Sequence, residues 1–357
     1  MASPEGEQQM SSPTDDPRAR NPLGRRVWAV AALTLALACA VLLGLFDGGA
    51  SGPTAPRDTL RLALSSTPHA SLLHLAAARG YFAEEGLDVA LLPASHGKAA
   101  LDLLAQGKAD LAAAAEVPFV IAVLKGEPLG IAASIASVST EMAVIARRDR
   151  AIGAPRDLVG KRVGVTPGTS GDYFLWAFLI HNKLAPDAIT MVDVPPGRIV
   201  HDLSEGRVDA ASTWEPIKHG AQSALQGNAV SFVEPDAYLV THVVVGRSDF
   251  LKTHAAAVQK LIRATLKAER FTRTDPQRAH AQIAEQLKIA PQALQPNWAD
   301  LDLRVELHQS QLVTLEDEAR WAITRGYAGR RDVPNFLPHL YLDALLAVQP
   351  ERVTVVH

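Results

Sequence analysis

The chain carries an internal echo. Residues 103–116, LLAQGKADLAAAAE, lie over residues 202–215, DLSEGRVDAASTWE, at a constant offset of 99. Gly107 meets Gly206, Lys108 meets Arg207, Asp110 meets Asp209 and Glu116 meets Glu215. The same offset sets Thr67-Pro68 on Thr166-Pro167, and an offset of 100 sets MAVIARRD (142–149) on HVVVGRSD (242–249). A register kept over so long a span predicts two similar halves.

Each half alternates apolar strand-like runs with helical ones. LRLAL, LDVALL, ADLAAAA and LGIAASI are separated by helical stretches at 70–80, 97–106 and 117–125. After MAVIAR the order restarts with RVGV, ITMVDV and VDAASTW, separated by helices at 171–183 and 197–205, with a further helix at 216–225. This alternation predicts α/β layers with parallel strands. Further helices are expected at 255–269, 276–288, 308–325 and 335–348, with Trp321 on the buried side of the third. In open α/β sheets ligands collect beyond the carboxyl ends of the strands. Two such lobes with a cleft between them would line it with matching loops, chiefly SSTPHA (65–70) and TPGTSG (166–171).

The second of these loops lies within GKRVGVTPGTSGDYFL (160–175), a strand, a glycine-rich turn and a helix start. Its glycines do not have the G-x-G-x-x-G spacing, and Lys161 precedes the loop instead of closing it as in a P-loop. GTSGD is not the G-x-S-x-G of a nucleophile elbow. What remains is a helix N-terminus whose free N–H groups attract polar or anionic groups. Gly168, Thr169 and Ser170 are therefore candidate ligand residues, although a Ser or Thr there would also cap the helix. On the opposite loop, Ser66 and Thr67 carry the same two readings, and His69 reads as a solvated loop histidine or a ligand group. Trp214 is a flat apolar wall with one N–H donor, or core. Tyr173 stacks on a planar ligand or packs. Glu116 and Glu215 sit at equivalent places, as cleft acids, rim residues or hinge partners. Two carboxylates would repel an oxyanion unless Lys98, Arg198 or helix ends outweigh them, and they suit amine or ring N–H donors better.

Composition narrows the chemistry. A net charge of −3 and a pI near 6.5 give no footprint for nucleic acid. The single cysteine, Cys39, lies before the body, so disulfides, thiolate clusters and a cysteine nucleophile are excluded there. The histidines show no metal-ligand spacing; His69 and His74 are five apart. No catalytic residue, metal or cofactor is expected. Residues 27–46 are free of charge and as a helix would span roughly 30 Å, enough for a transmembrane anchor or an export-signal core. Arg18, Arg20, Arg25 and Arg26 precede the run, which places residues 1–26 in the cytosol as a disordered tail and the body outside. Residues 47–58 read as a linker.

AAARGYFAEEGLDVAL, LLAQGKADLAAAAEVP, GKRVGVTPGTSGDYFL, VDAASTWEP and, later, TLEDEARWAI (314–323) resemble the nitrate/sulfonate/taurine-type substrate-binding proteins of ABC importers, over about residues 59–356. That resemblance implies a type II periplasmic-binding-protein fold whose lobes are joined by two crossings: 59–140 plus 241–357, and 141–240. It also implies a monomer that captures a small polar or planar molecule outside the cytoplasm and delivers it to a membrane permease. A relative on this fold makes the thiamine pyrimidine with a cofactor-bearing lysine and a cysteine-rich iron motif. The absence of cysteine after Cys39 argues for binding over catalysis. An exported enzyme using Glu116 or Glu215 as acid or base, and a ligand-sensing receptor, stay as alternatives.

Overall fold

A strand buried on both faces needs an uninterrupted apolar run, and LAAAA at Leu111–Ala115 (β3) is one: all five residues are buried. In the computed structural model, which describes residues 57–291, Leu294 and 298–356, this strand lies at the centre of a five-stranded sheet. Its neighbours are Asp58–Ser65 (β1) and Val240–Arg247 (β10), with Leu87–Ala94 (β2) and Leu129–Val138 (β4) at the edges, in the order β2-β1-β3-β10-β4. A second sheet is formed by Ala143–Arg147 (β5), Arg162–Val165 (β6), Thr190–Asp193 (β7), Ala210–Thr213 (β8) and Ala229–Phe232 (β9), in the order β7-β6-β8-β5-β9.

The two sheets are copies of one topology. β1 pairs parallel with β2 and β3 as β6 does with β7 and β8, and each sheet accepts one antiparallel strand in its fourth position. Those antiparallel strands, β5 and β10, are the MAVIARRD and HVVVGRSD segments, and each enters its sheet directly after a crossing from the other. The aspartates of the echo explain why the register survives. Arg61 gives its backbone N–H to Asp110 Oδ2 at 2.7 Å and Nη2 to Oδ1 at 2.6 Å. Arg162 does the same to Asp209 at 2.9 and 2.8 Å. A bidentate carboxylate thus ties β1 to the turn before β3, and β6 to the turn before β8.

The crossings run through 139–142 and 233–239. Behind the first sheet pack the helices Ala255–Thr274, Pro276–Leu287 and Gln309–Thr324, on faces that include Leu261, Ile283 and the wholly buried Trp321. The helix expected over 335–348 is instead a short turn at Leu337–His339 followed by Asp343–Val348. Pro338 has no N–H to continue a helix, and Tyr341 donates its N–H to the Ile131 carbonyl of β4 instead. The expected tail, apolar segment 27–46 and linker up to residue 56 lie outside the described residues. Among those described, no helix is long and apolar enough to cross a membrane.

Packing where β10 meets β3 leaves no room for a methyl group at Gly246. A Cβ there would come within 2.7 Å of Leu251 Cδ2 and 2.8 Å of Leu111 Cδ2. Gly246→Ala is expected to cost about 1–3 kcal/mol of folding free energy, measured by urea denaturation. A neutral result would show that the two leucines swing aside freely.

Candidate functional site

The TPGTSG loop is held from within. Thr166 donates its hydroxyl to the Val194 carbonyl at 2.8 Å, and Thr169 donates its own to the Thr166 carbonyl at 2.7 Å. Gly168 turns with φ +68°, and its N–H points to Asp172 Oδ2 at 3.0 Å and the Tyr327 hydroxyl at 3.2 Å. Tyr327 also bonds Asp172 directly. Thr169 therefore does not cap the helix Ser170–His181 with its side chain.

Thr169 and Ser170 open onto a cleft of about 540 Å³, mouth included, between the two sheets. From the first sheet the cleft receives Ser65, Thr67 and His69 of the loop after β1, and His96, Gly97 and Lys98 at the start of the helix Gly97–Ala105. Ser65 and Thr67 bond each other through their hydroxyls at 2.8 Å. Trp214, just past β8, forms the wall from the second sheet, with only 8% of its surface exposed. Ala113, Ala115, Pro118, Ile135 and Met142 supply apolar lining. The loops 65–71 and 166–171 thus share one groove.

Three buried titratable side chains make its floor. Glu141, in the first crossing, has Oε1 at 3.3 Å from His69 Nδ1 and Oε2 at 3.6 Å from His242 Nε2, at the start of β10 just past the second crossing. The two imidazoles stack with centroids 3.5 Å apart and planes 9° from parallel. Burial pushes both histidines down to about 3, so both are neutral near pH 7, and burial raises the Glu141 carboxyl, an effect opposed by His69 and Lys218. Neither Glu141 oxygen has a hydrogen-bond partner, nor does His242 Nε2.

Of the residues singled out from the sequence, Thr67, His69, Thr169, Ser170 and Trp214 line this cleft and five do not. Ser66 and Glu215 face a neighbouring cavity of about 650 Å³, where Glu215 meets Lys218 Nζ at 3.1 Å and accepts the His219 N–H at 3.2 Å. Gly168 shapes the turn beneath. Tyr173 is enclosed by Tyr238 and Trp321 at 4.8 and 5.3 Å, so it packs. Glu116 is wholly buried and both its oxygens accept the Thr241 N–H, at 2.8 and 2.9 Å; it ties a helix start to the beginning of β10 and does not face the cleft. His69, expected in solvent or on a ligand, is 5% exposed because the Glu141 and His242 side chains close over it. Sequence reasoning passed over Glu141, His242 and His96. The echo held one signal: an offset of 100 puts Met142 over His242, and both line the cleft. Arg198, weighed as a countercharge, bonds Asp202 at 2.8 Å on the second sheet's outer helix.

A family model described as NMT1/THI5 like matches residues 67–279. The chain belongs to the NMT1/THI5-like family. Relatives of this family member include a Brucella abortus binding protein, 28% identical over 137 residues; the match spans 37% of this chain and 43% of that protein, under half its length. A 4-amino-5-hydroxymethyl-2-methylpyrimidine phosphate synthase of Saccharomyces cerevisiae is 25% identical over 241 residues, 62% of this chain and 68% of the yeast protein. Among solved structures, the alkanesulfonate-binding protein SsuA of Xanthomonas axonopodis pv. citri, bound to MOPS, superposes with a TM-score of 0.70 at 19% identity, over 80% of this chain and 99% of SsuA. The shared architecture is the periplasmic-binding-protein fold, as expected.

Proposed function

We propose that this chain is the solute-binding component of an ABC importer. It captures a small polar or planar molecule between its two lobes outside the cytoplasm and delivers it to a permease. The observation that carries this reading is the convergence of the 65–71 and 166–171 loops, from topologically equivalent places in two sheets, on one groove walled by Trp214. Trp214 offers a stacking face, and the helix starts at Gly97 and Ser170 offer N–H groups to a polar edge. Lobes 59–140 plus 241–357 and 141–240 would close about the crossings at 139–142 and 233–239. Residues 27–46 would export the body or tether it to the membrane.

Binding-protein relatives support capture over turnover, and so do the positions of Glu116 and Glu215. Of the two acids that an enzymatic reading would use, Glu116 is tied to the Thr241 backbone away from the cleft, and Glu215 pairs with Lys218 at the neighbouring cavity.

Thermal-shift screening of the purified protein against sulfonates, nitrate, bicarbonate, pyrimidines and polyamines tests the proposal. A solute at a hundredfold excess over its Kd should stabilise the fold by about 2.7 kcal/mol. Trp214→Ala should abolish the shift while the unliganded protein stays folded. An unchanged shift in that variant removes Trp214 from the site, and no shift with any of these solutes, or turnover of a bound one, overturns the reading.

A further inference from the structure

The floor of the cleft has the wrong electrostatics to be complete. A carboxylate taken out of water is costly unless a cation or hydrogen-bond donors meet it. Glu141 is 2% exposed, its oxygens have no hydrogen-bond partner, and the groups facing it are two stacked imidazoles of 5% and 8% exposure. Of the nearby charges, Lys218 donates to the Thr140 carbonyl at 2.9 Å and pairs with Glu215 at 3.1 Å.

We propose that His69, Glu141 and His242 form a binding site for a divalent transition-metal ion at the junction of the two crossings. The donor set is two imidazoles and one carboxylate, the combination that holds zinc and its first-row neighbours with a position left open. Spacing supports it. With metal–ligand bonds of about 2.1 Å in a tetrahedral shell, adjacent donors stand about 3.4 Å apart. The observed separations are 3.3 Å from Glu141 to His69 and 3.6 Å from Glu141 to His242, and all three ligand atoms lie within 4.8 Å of one another. The rings now lie 9° from parallel, so binding would turn them about their χ angles until both in-plane lone pairs converge on the ion.

The three ligands come from three chain segments: the loop after β1, the first crossing and the start of β10. One ion would therefore staple the first crossing to the loop after β1 and to β10, where the chain rejoins the first sheet from the second crossing. Two neutral imidazoles and one carboxylate leave a divalent ion with one net positive charge, and all three ligands line the cleft. The open position then faces an electron-rich atom of the solute. That last step rests on the solute-binding reading; the metal site itself does not.

The test uses the purified, untagged protein, stripped with a chelator and titrated with Co²⁺ in the absence of any solute. One saturable site per chain with visible ligand-field bands is expected, bleached by Zn²⁺. Glu141→Gln, which keeps the side-chain shape, and His242→Ala should each weaken Co²⁺ binding at least a hundredfold, more than loss of an outer-shell partner costs. His201→Ala, on an exposed helix position, should leave it unchanged. Absence of a saturable site, or binding unaffected by Glu141→Gln, overturns the proposal, and the glutamine variant decides alone if the alanine variant does not fold. Failure here leaves solute capture standing, and failure of every solute in the thermal screen leaves the metal site standing.

Discussion

Glu318→Gln is expected to stabilise the protein progressively as the pH rises from 5 to 8, and to have little effect below pH 5. Glu116 and Glu318 are both wholly buried beside Tyr238, whose hydroxyl donates to Glu318 Oε1 at 3.1 Å, while Glu318 Oε2 has no partner. Burial raises the Glu318 carboxyl well above its ordinary 4.5, and the Glu116 charge raises it further. Glu116 is raised as well, again chiefly by burial. The native state therefore holds protons that the unfolded chain releases once the pH passes about 4.5. Stability is then greatest below that point and falls as pH rises, by about 1.4 kcal/mol per pH unit for each such group, until the native carboxyl itself ionises. Glutamine carries no charge at any pH, so its advantage over glutamate should widen along that slope. Carboxylates with lowered values, such as Asp149 and Asp157, give up their stabilisation only as the pH falls below about 4, and they are common to both proteins, so they cancel in the difference. Urea unfolding at four or five pH values checks this. Parallel stability profiles for the two proteins would show that Glu318 is ionised in the native state or solvated by water.

The same cluster marks the limit of what the sequence discloses. The duplication of one α/β unit was legible because it is a one-dimensional signal: Asp110 and Asp209 occupy one step of the same repeat, and each is fixed by an arginine two strands away in the sequence pattern. The expectation of parallel strands missed the antiparallel β5 and β10, whose direction is set by the crossings and not by any local pattern. The cleft was half legible for a related reason. Loops at the carboxyl ends of parallel strands must gather at one edge, which brought Thr67 and Thr169 to the groove. Direction within the loop was not legible. Whether Glu116 turns to the cleft or back to Thr241 depends on a strand 125 residues away. The His69, Glu141, His242 floor was invisible because its members share no spacing; they meet only where both crossings pass the loop after β1. Local periodicity also misled at 335–348, where an apolar pattern of helical type yields to Pro338 and to a bridge with β4.

Trp321→Ala is expected to cost about 3–5 kcal/mol of stability and to weaken solute capture as well. Trp321 is 1% exposed on the helix Gln309–Thr324, yet the rings it touches belong to the cleft-forming side. Tyr173, in the first turn of the helix after the TPGTSG loop, meets it edge-on at 5.3 Å and 80°, and Tyr327 lies 5.3 Å away at 41°. Tyr173 also meets Tyr238 edge-on at 4.8 Å. A cavity left among rigid rings collapses poorly, which places the alanine cost toward the upper part of its range. Tyr327 is the residue whose hydroxyl holds Gly168 and Asp172, so loosening it frees the turn that presents Thr169 and Ser170 to the cleft. Trp321→Phe separates packing from polarity. It keeps a ring against Tyr173 and removes an indole N–H that has no partner, so it should cost clearly less than alanine. Urea unfolding gives the stabilities, and the thermal shift with a bound solute gives the second readout. An alanine variant that loses stability but keeps the full solute shift would mean that the aromatic cluster supports the core alone and does not hold the loop.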